Sequence, residues 1–198
     1  MGRHGAVSGE IFEAVVAEAD AAAQRARVAR GDGHLVPART GLAGRWRREP
    51  CEVAAAAARA VDEALQVPPL QRLALARVTE MEIRETDDAL EVVQLIPLNG
   101  VGACIRRGVC YPKTGGAVQG PRRDARPGVT RSLLTVGPKG HVHIRAFQEA
   151  PHAAVFHERL KLSVSGAQLK VEQKSQLLDS TAGGAAEPIK HHCIWHRV

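Results

Sequence analysis

Aromatic side chains are scarce in this sequence: its 198 residues include two tryptophans, one tyrosine and three phenylalanines. Proteins that bind single-stranded nucleic acid stack the bases on aromatic side chains, so we do not expect a nucleic-acid partner. No stretch approaches the roughly 18 consecutive apolar residues of a membrane-spanning helix, so we expect no transmembrane segment. The first twenty residues carry four acidic side chains, unlike a secretory signal.

Cysteines are few and scattered. Cys51, Cys104, Cys110 and Cys193 form no Cys-x-x-Cys pair and no dense framework. A chain of this length can bury a core without disulfides, so we expect free thiols in a reducing compartment. The cytoplasm is the expected location, with an organelle lumen as the alternative.

The net charge of +6 is distributed unevenly. Residues 1–100 hold 12 Lys and Arg against 15 Asp and Glu, whereas residues 101–198 hold 15 against 6. The second half is therefore either a solvated basic surface or a docking face for an acidic partner, an anionic lipid surface or nucleic acid. Its two densest clusters, Arg106-Arg107 and the segment from Arg122 to Arg126, are expected to be solvated surface loops.

Residues 8–30 have the apolar spacing of one amphipathic helix. Its stripe includes Ile11, Phe12, Val15 and Val16, and the glycine- and proline-containing segment 31–41 follows it. We therefore predict that residues 1–40 form a helical extension and linker, attached to a domain at 41–198. The stripe would be exposed on an isolated helix, so we expect it to fold back on the domain or to contact another protein.

After the linker, the pattern predicts a short strand at 42–48, an alanine-rich helix at about 50–66 and a second short helix at about 70–78. Alternating runs then replace helical periodicity. Turn-length separators between most of these runs make successive strands antiparallel neighbours. The predicted strands are 79–85, 89–97, 103–110, 130–136, 141–147, 155–164, 168–176 and 190–198.

These strands alternate apolar and charged side chains, which gives the sheet one apolar face. No later helix is available to cover that face, so we predict a mainly β fold in which the sheet closes into an up-and-down antiparallel barrel. Such a barrel can retain a cavity for one small apolar ligand. The side chains predicted to point inward are Met81, Ile83, Val92, Leu134, Ile144, Phe156, Leu160 and Leu162.

The order of these elements resembles the intracellular fatty-acid- and retinoid-binding proteins, within the wider lipocalin or calycin group. The resemblance covers about 42–198 and rests on the strand with Gly44 and Trp46, the two short helices and the uninterrupted meander. It implies about ten strands, a helix-turn-helix lid after the first strand, and transport or binding of a hydrophobic carboxylic acid or similar lipid. It also implies that Trp46 is buried near the closed end of the barrel.

The resemblance fails at the residues that hold a carboxylate. The family uses an arginine on the strand that matches 155–164 and an Arg-x-Tyr pair on the last strand, whereas this sequence aligns Glu158, Cys193 and Trp195 with those positions. We therefore predict that these three residues face the ligand, and that the ligand is neutral or absent.

Neither metal binding nor catalysis has a convincing pattern. In a strand, His192 and His196 lie on one face while His191 and Cys193 lie on the other, so three ligands do not converge. No serine stands in a nucleophile elbow, and the glycine-rich pieces lack phosphate-binding motifs. We expect no metal, no other cofactor and no enzymatic activity.

Two functional hypotheses remain. The first is non-enzymatic binding of a lipid or other small hydrophobic ligand in the barrel cavity. The alternative is a structural or adaptor subunit of a larger assembly, which would dock through the helix at 8–30 and the basic face.

Overall fold

The computed structural model describes residues 13, 14, 17, 21, 39–97, 104–137, 140–149, 152–178 and 187–198. Two helices, α1 (Glu52–Ala64) and α2 (Pro69–Ala76), follow the first strand, and nine strands come after them. The strands are β1 (Gly44–Arg48), β2 (Glu80–Glu85), β3 (Ala89–Pro97), β4 (Cys104–Pro112), β5 (Ala117–Pro121), β6 (Val129–Val136), β7 (Val142–Gln148), β8 (Ala154–Leu162), β9 (Gln168–Leu177) and β10 (Ile189–Arg197).

The ten strands form one antiparallel sheet in the order β4-β3-β2-β1-β10-β9-β8-β7-β6-β5. β1 joins the two halves because it pairs with both β2 and β10. The two edge strands, β4 and β5, lie side by side without a hydrogen-bonded ladder between their described residues. The barrel is therefore nearly closed, and the predicted mainly β barrel with two helices after its first strand is confirmed.

The line between β4 and β5, which we call the seam, is closed by side-chain packing. Gly120 of β5 lies so close to Val109 of β4 that a Cβ atom added to the glycine would be 2.5 Å from the Val109 Cγ2 atom. The seam thus depends on the absence of a side chain at Gly120.

One strand was not anticipated. β5 lies within 112–129, a stretch rich in glycine, proline and arginine that we expected to be a gap between strands. The five residues of β5 include Gly120 and Pro121 and no charged side chain, and they alternate only between exposed and half-buried, so the strand lacks the apolar and charged alternation that marks the predicted strands.

One end of the barrel is filled by a packed core. Leu42, Trp46, Leu90, Val142 and Leu169 have no exposed surface there. The Trp46 indole N–H donates a hydrogen bond to the Leu42 carbonyl at 2.9 Å, and the Arg197 guanidinium lies 4.6 Å from the centre of the Trp46 ring. The expected burial of Trp46 is confirmed.

The opposite end is covered by α1 and α2, which together form the lid. Pro69 begins α2, where its fixed φ favours a helix and its missing N–H costs nothing. Near the end of α1, Val61, Leu65 and Val67 pack against Ala146, Ala154 and Phe156 of the barrel. Among the described residues, no helix has the length and apolarity needed to cross a bilayer.

The predicted N-terminal stripe of Ile11, Phe12, Val15 and Val16 lies outside the described residues. Glu13, which is described as helical, forms an ion pair with Arg131 on the outer face of β6. The proposed division at residue 40 and the adaptor alternative stay predictions.

Candidate functional site

A cavity of about 640 Å³ lies between the lid and the packed core. This volume falls within the range of about 300–1,000 Å³ that is typical of small-molecule sites. Strands from both halves of the barrel contribute to its wall, and α1 and α2 cover its mouth. Apolar lining side chains include Val61, Leu73, Leu75, Val78, Met81, Val92, Val109, Ile144, Phe156, Leu160 and Val171.

The structure places the predicted ligand-binding residues at two levels of the barrel. Eight of them line the cavity, namely Met81, Val92, Ile144, Phe156, Glu158, Leu160, Cys193 and Trp195. Ile83, Leu134 and Leu162 do not line it and instead join the packed core around Trp46. The difference has a steric reason: Ile83 pairs with Gly44 and Leu162 with Leu169, at the level where Trp46 and its neighbours fill the barrel.

Glu158 is held by an arginine that comes from across the barrel. Its carboxylate accepts hydrogen bonds from both terminal nitrogens of Arg123, at 2.5 and 3.1 Å, and from the Gln173 amide at 2.8 Å. Burial alone would raise the pKa of Glu158, but the Arg123 guanidinium keeps that pKa below its usual value. The carboxylate therefore stays ionised and already has its partners.

Tyr111 extends this polar cluster. Its side chain is almost completely buried, and its hydroxyl interacts with Ser132 and Arg123. Burial raises the pKa of the phenol, although the positive charge of Arg123 acts in the opposite direction. Tyr111 is therefore a neutral hydroxyl group beside the ion pair.

Arg107 is the member of the cluster that forms no ion pair with a described residue. It lies on β4 opposite Gln94, lines the cavity beside Val109, and forms no ion pair with any described residue. Burial lowers the pKa of its guanidinium, and the nearby charge of Arg123 lowers it further. The negative charge of Asp124 acts in the opposite direction but forms no ion pair with Arg107, so Arg107 offers the cavity a binding group for an anionic or strongly hydrogen-bond-accepting atom.

The expectation that both arginine clusters form solvated loops is wrong for several of their members. Arg107 and Arg123 line the cavity, and Arg122 is buried with Asp124, whose carboxylate it binds at 2.8 and 3.0 Å. For Arg107 the sequence contained a signal: Arg107, Val109 and Tyr111 alternate along one strand and therefore share its inner face. Arg123 follows the end of β5, where no alternation reveals its direction.

The last strand contributes two buried polar atoms that have no hydrogen-bond partner among the described residues. These are the Trp195 indole nitrogen and the His191 Nδ1 atom, both on residues that line the cavity. Burial lowers the pKa of His191 and raises the pKa of the Cys193 thiol, so both side chains are neutral at pH 7. The wall formed by β10 therefore offers uncharged polar groups to a ligand.

The lid is tied to the barrel rim by Arg126. Its guanidinium donates to the Leu65 carbonyl at 2.9 Å, to the Gln66 carbonyl, and to the Asp124 carboxylate at 3.0 Å. Asp124 has no exposed surface. Arg126 thus connects the turn after α1 to a buried carboxylate in the segment between β5 and β6.

Metal binding finds no support in the described part of the chain, where no group of three or more His, Cys, Asp or Glu is placed to hold an ion. The chain matches no protein-family model and no curated protein. Its architecture is compatible with a calycin-like barrel.

Proposed function

We propose that this chain binds one small, mainly apolar ligand in the barrel cavity and catalyses no reaction. The observation that carries the proposal is the cavity of about 640 Å³, which remains open between the lid and the packed core around Trp46. Burying a ligand against this wall removes apolar surface from water at about 25 cal/mol per Å². The resemblance to the fatty-acid- and retinoid-binding proteins supports the same function.

The position of the polar groups suggests how the ligand is oriented. Its apolar part would contact Met81, Ile144 and Leu160, and its polar end would approach Arg107. Glu158 does not repel this end, because Arg123 already neutralises its charge. A carboxylate or carbonyl oxygen is therefore a suitable polar group, in contrast to the neutral or absent ligand that the sequence alignment favoured.

Native mass spectrometry of the full chain tests for a co-purified ligand, and titration with an apolar fluorescent probe tests the cavity. The informative variant is Val109→Trp, because Val109 lines the cavity and an indole at this position would occupy the ligand's space. Val109 also packs on Gly120 at the seam, so circular dichroism must first show that the variant is folded. We expect probe affinity to fall about tenfold or more, which corresponds to about 1.4 kcal/mol.

Cys110→Trp is the matched control, because Cys110 is the next residue on β4 and is exposed on the outer face. It adds the same side chain without entering the cavity, so it should bind the probe like the unchanged protein. Equal affinity in both variants would place the probe outside the cavity and contradict the proposal.

A second comparison, with a fatty acid and its methyl ester as ligands, tests whether the polar end of the ligand lies beside Arg107. Arg107→Gln should weaken binding of the acid by about tenfold and leave the ester nearly unaffected, because only the acid has a charge for Arg107 to bind. An equal loss for both ligands would contradict the orientation but not the cavity itself.

A further inference from the structure

The outer face of β7, β8, β9 and β10 carries a row of basic side chains. Arg145 pairs with His157 across β7 and β8, His157 pairs with Lys174 across β8 and β9, and Lys174 pairs with Lys190 across β9 and β10. Adjacent strands are about 4.8 Å apart, so the row spans about 14 Å. We call this row and its neighbours on the same four strands the basic face.

A second row lies beside the first. It consists of His143, Arg159, Glu172 and His192, again as direct cross-strand neighbours. Glu172 is the one carboxylate in the two rows, and it is shared by Lys161 at 2.9 Å, Lys170 at 3.2 Å and Arg159 at 4.0 Å. The Glu172 carboxylate is therefore shared among three cations and forms no ion pair with the described side chains of the first row.

The cations of the first row are not neutralised within the described part of the chain. Arg145, Lys174 and Lys190 form no ion pair with any described residue. Burial lowers the pKa of His157, and the charges of Arg145 and Lys174 on either side lower it further. Lys174 and Lys190 are like charges directly opposite each other, an arrangement that destabilises a sheet, so this pair has a cost that an anion would remove.

The basic face is concave. A depression of about 460 Å³ lies over its centre, with the cations of both rows in its wall. The Arg159 Nε atom is buried there without a hydrogen-bond partner. The volume suits one small molecule, whereas a flat bilayer surface could not enter it. The two rows contain no phenylalanine, tyrosine or tryptophan, the side chains on which single-stranded nucleic-acid bases mainly stack.

We propose that the basic face binds a small polyanion with two or more phosphate groups. The side chains of the two rows alternate along their strands with those that face the cavity, so the site lies on the other face of the same sheet, although the depression and the cavity share lining residues such as Glu158 and Lys174. Two lysine ammonium groups on neighbouring strands, with guanidinium groups on the two strands beside them, can bind several phosphate oxygens of one compact molecule. The proposal does not depend on what the cavity binds.

Isothermal titration with inorganic tripolyphosphate at low salt tests this proposal on the full chain. The variant K174Q/K190Q removes two charges of the first row, and we expect its affinity to fall about tenfold. Folding should be kept, because the substitutions relieve repulsion. Tripolyphosphate should also raise the melting temperature of the unchanged protein, since a ligand of the folded state stabilises it.

The control variant R39Q/R77Q removes the same net charge from two residues that do not line the depression, and its affinity should stay within about twofold of the unchanged protein. Equal losses in the two variants would show a general charge effect and overturn the proposal. It would also be overturned if tripolyphosphate did not bind, or if phosphatidylglycerol vesicles or a single-stranded oligonucleotide bound the basic face more tightly than tripolyphosphate. Failure of the Val109→Trp probe experiment would leave this site unaffected.

Discussion

Glu158 and Arg123 form a two-point ion pair inside the barrel, with oxygen-to-nitrogen distances of 2.5 and 3.1 Å. The pair joins β8 to the segment after β5, which are not neighbours in the sheet. At the position that aligns with an arginine in the family it resembles, this chain thus has an acid, Glu158. The counter-charge comes from Arg123, in a different segment of the chain.

Removing one partner of this pair should be far more harmful than removing both. Arg123→Met leaves a buried ionised carboxylate without its counter-charge, and we expect a loss of about 3 kcal/mol in the free energy of unfolding. The double variant R123M/E158L removes both charges and should lose much less. Urea unfolding of both variants measures this, and additive losses would contradict a buried pair.

Asp62 should make the lid more stable in mild acid. Burial raises the pKa of this α1 carboxyl from 3.8 to about 6, the positive charge of Arg72 lowers it, and Glu63 raises it. Between pH 3.8 and about 6 the folded state therefore binds a proton that the unfolded state has released. The favourable contribution of Asp62 to the free energy of unfolding is fully present below pH 3.8 and is lost as the pH rises through about 6.

Asp62→Asn removes this titration. At pH 7.5 the variant should be more stable than the unchanged protein by roughly 1 kcal/mol, an amount reduced for solvent screening because the group is only half-buried. Near pH 4 the difference should disappear. Melting temperatures at both pH values test the prediction, and a difference independent of pH would exclude Asp62 as its source.

Trp46 should be among the most costly positions to truncate. Trp46→Ala would open a large space in the packed core and leave the Leu42 carbonyl without its donor, so we expect a loss of about 3–5 kcal/mol. Trp46→Phe keeps most of the volume and serves as the control. A loss below about 1 kcal/mol in chemical denaturation would contradict the packing described for this end of the barrel.

Adding one methyl group at the seam should destabilise the barrel. Gly120→Ala places a Cβ atom against Val109, and overpacking of this kind costs about 1–3 kcal/mol. The double variant G120A/V109A should recover most of that loss. Gly137→Ala is the control, because the nearest atom to its added Cβ lies at an ordinary 3.6 Å. If the second substitution restored nothing, the two residues would not be in contact.

The sequence predicts the barrel well because eight of the nine strands after the lid alternate clearly and most are separated by short turns. It misses β5 because that strand contributes only small or half-buried inward residues and is held by β6 and by the packing of Val109 on Gly120. The strand is thus specified by its neighbours rather than by its own composition.

The candidate site likewise has one part that the sequence predicts and one part that it does not. The apolar wall could be predicted because inward orientation follows from alternation, as for Met81 and Ile144. The boundary between wall and packed core could not, since alternation gives the direction of Ile83 but not its height in the barrel. The pairing of Glu158 with Arg123 joins residues 35 positions apart through a segment without regular periodicity, so only the fold reveals it.

The seam determines how this barrel can change its width. In a fully hydrogen-bonded cylinder, any increase in circumference breaks backbone ladders. Here the circumference is interrupted between β4 and β5, so these strands can move apart while every ladder from β4 through β1 to β5 stays intact. Arg107 lies on one of these two strands, and Arg123 follows the other. A bulkier ligand would therefore be accommodated by separating the side chains packed at the seam, with Arg107 on one side of the opening and Arg123 on the other.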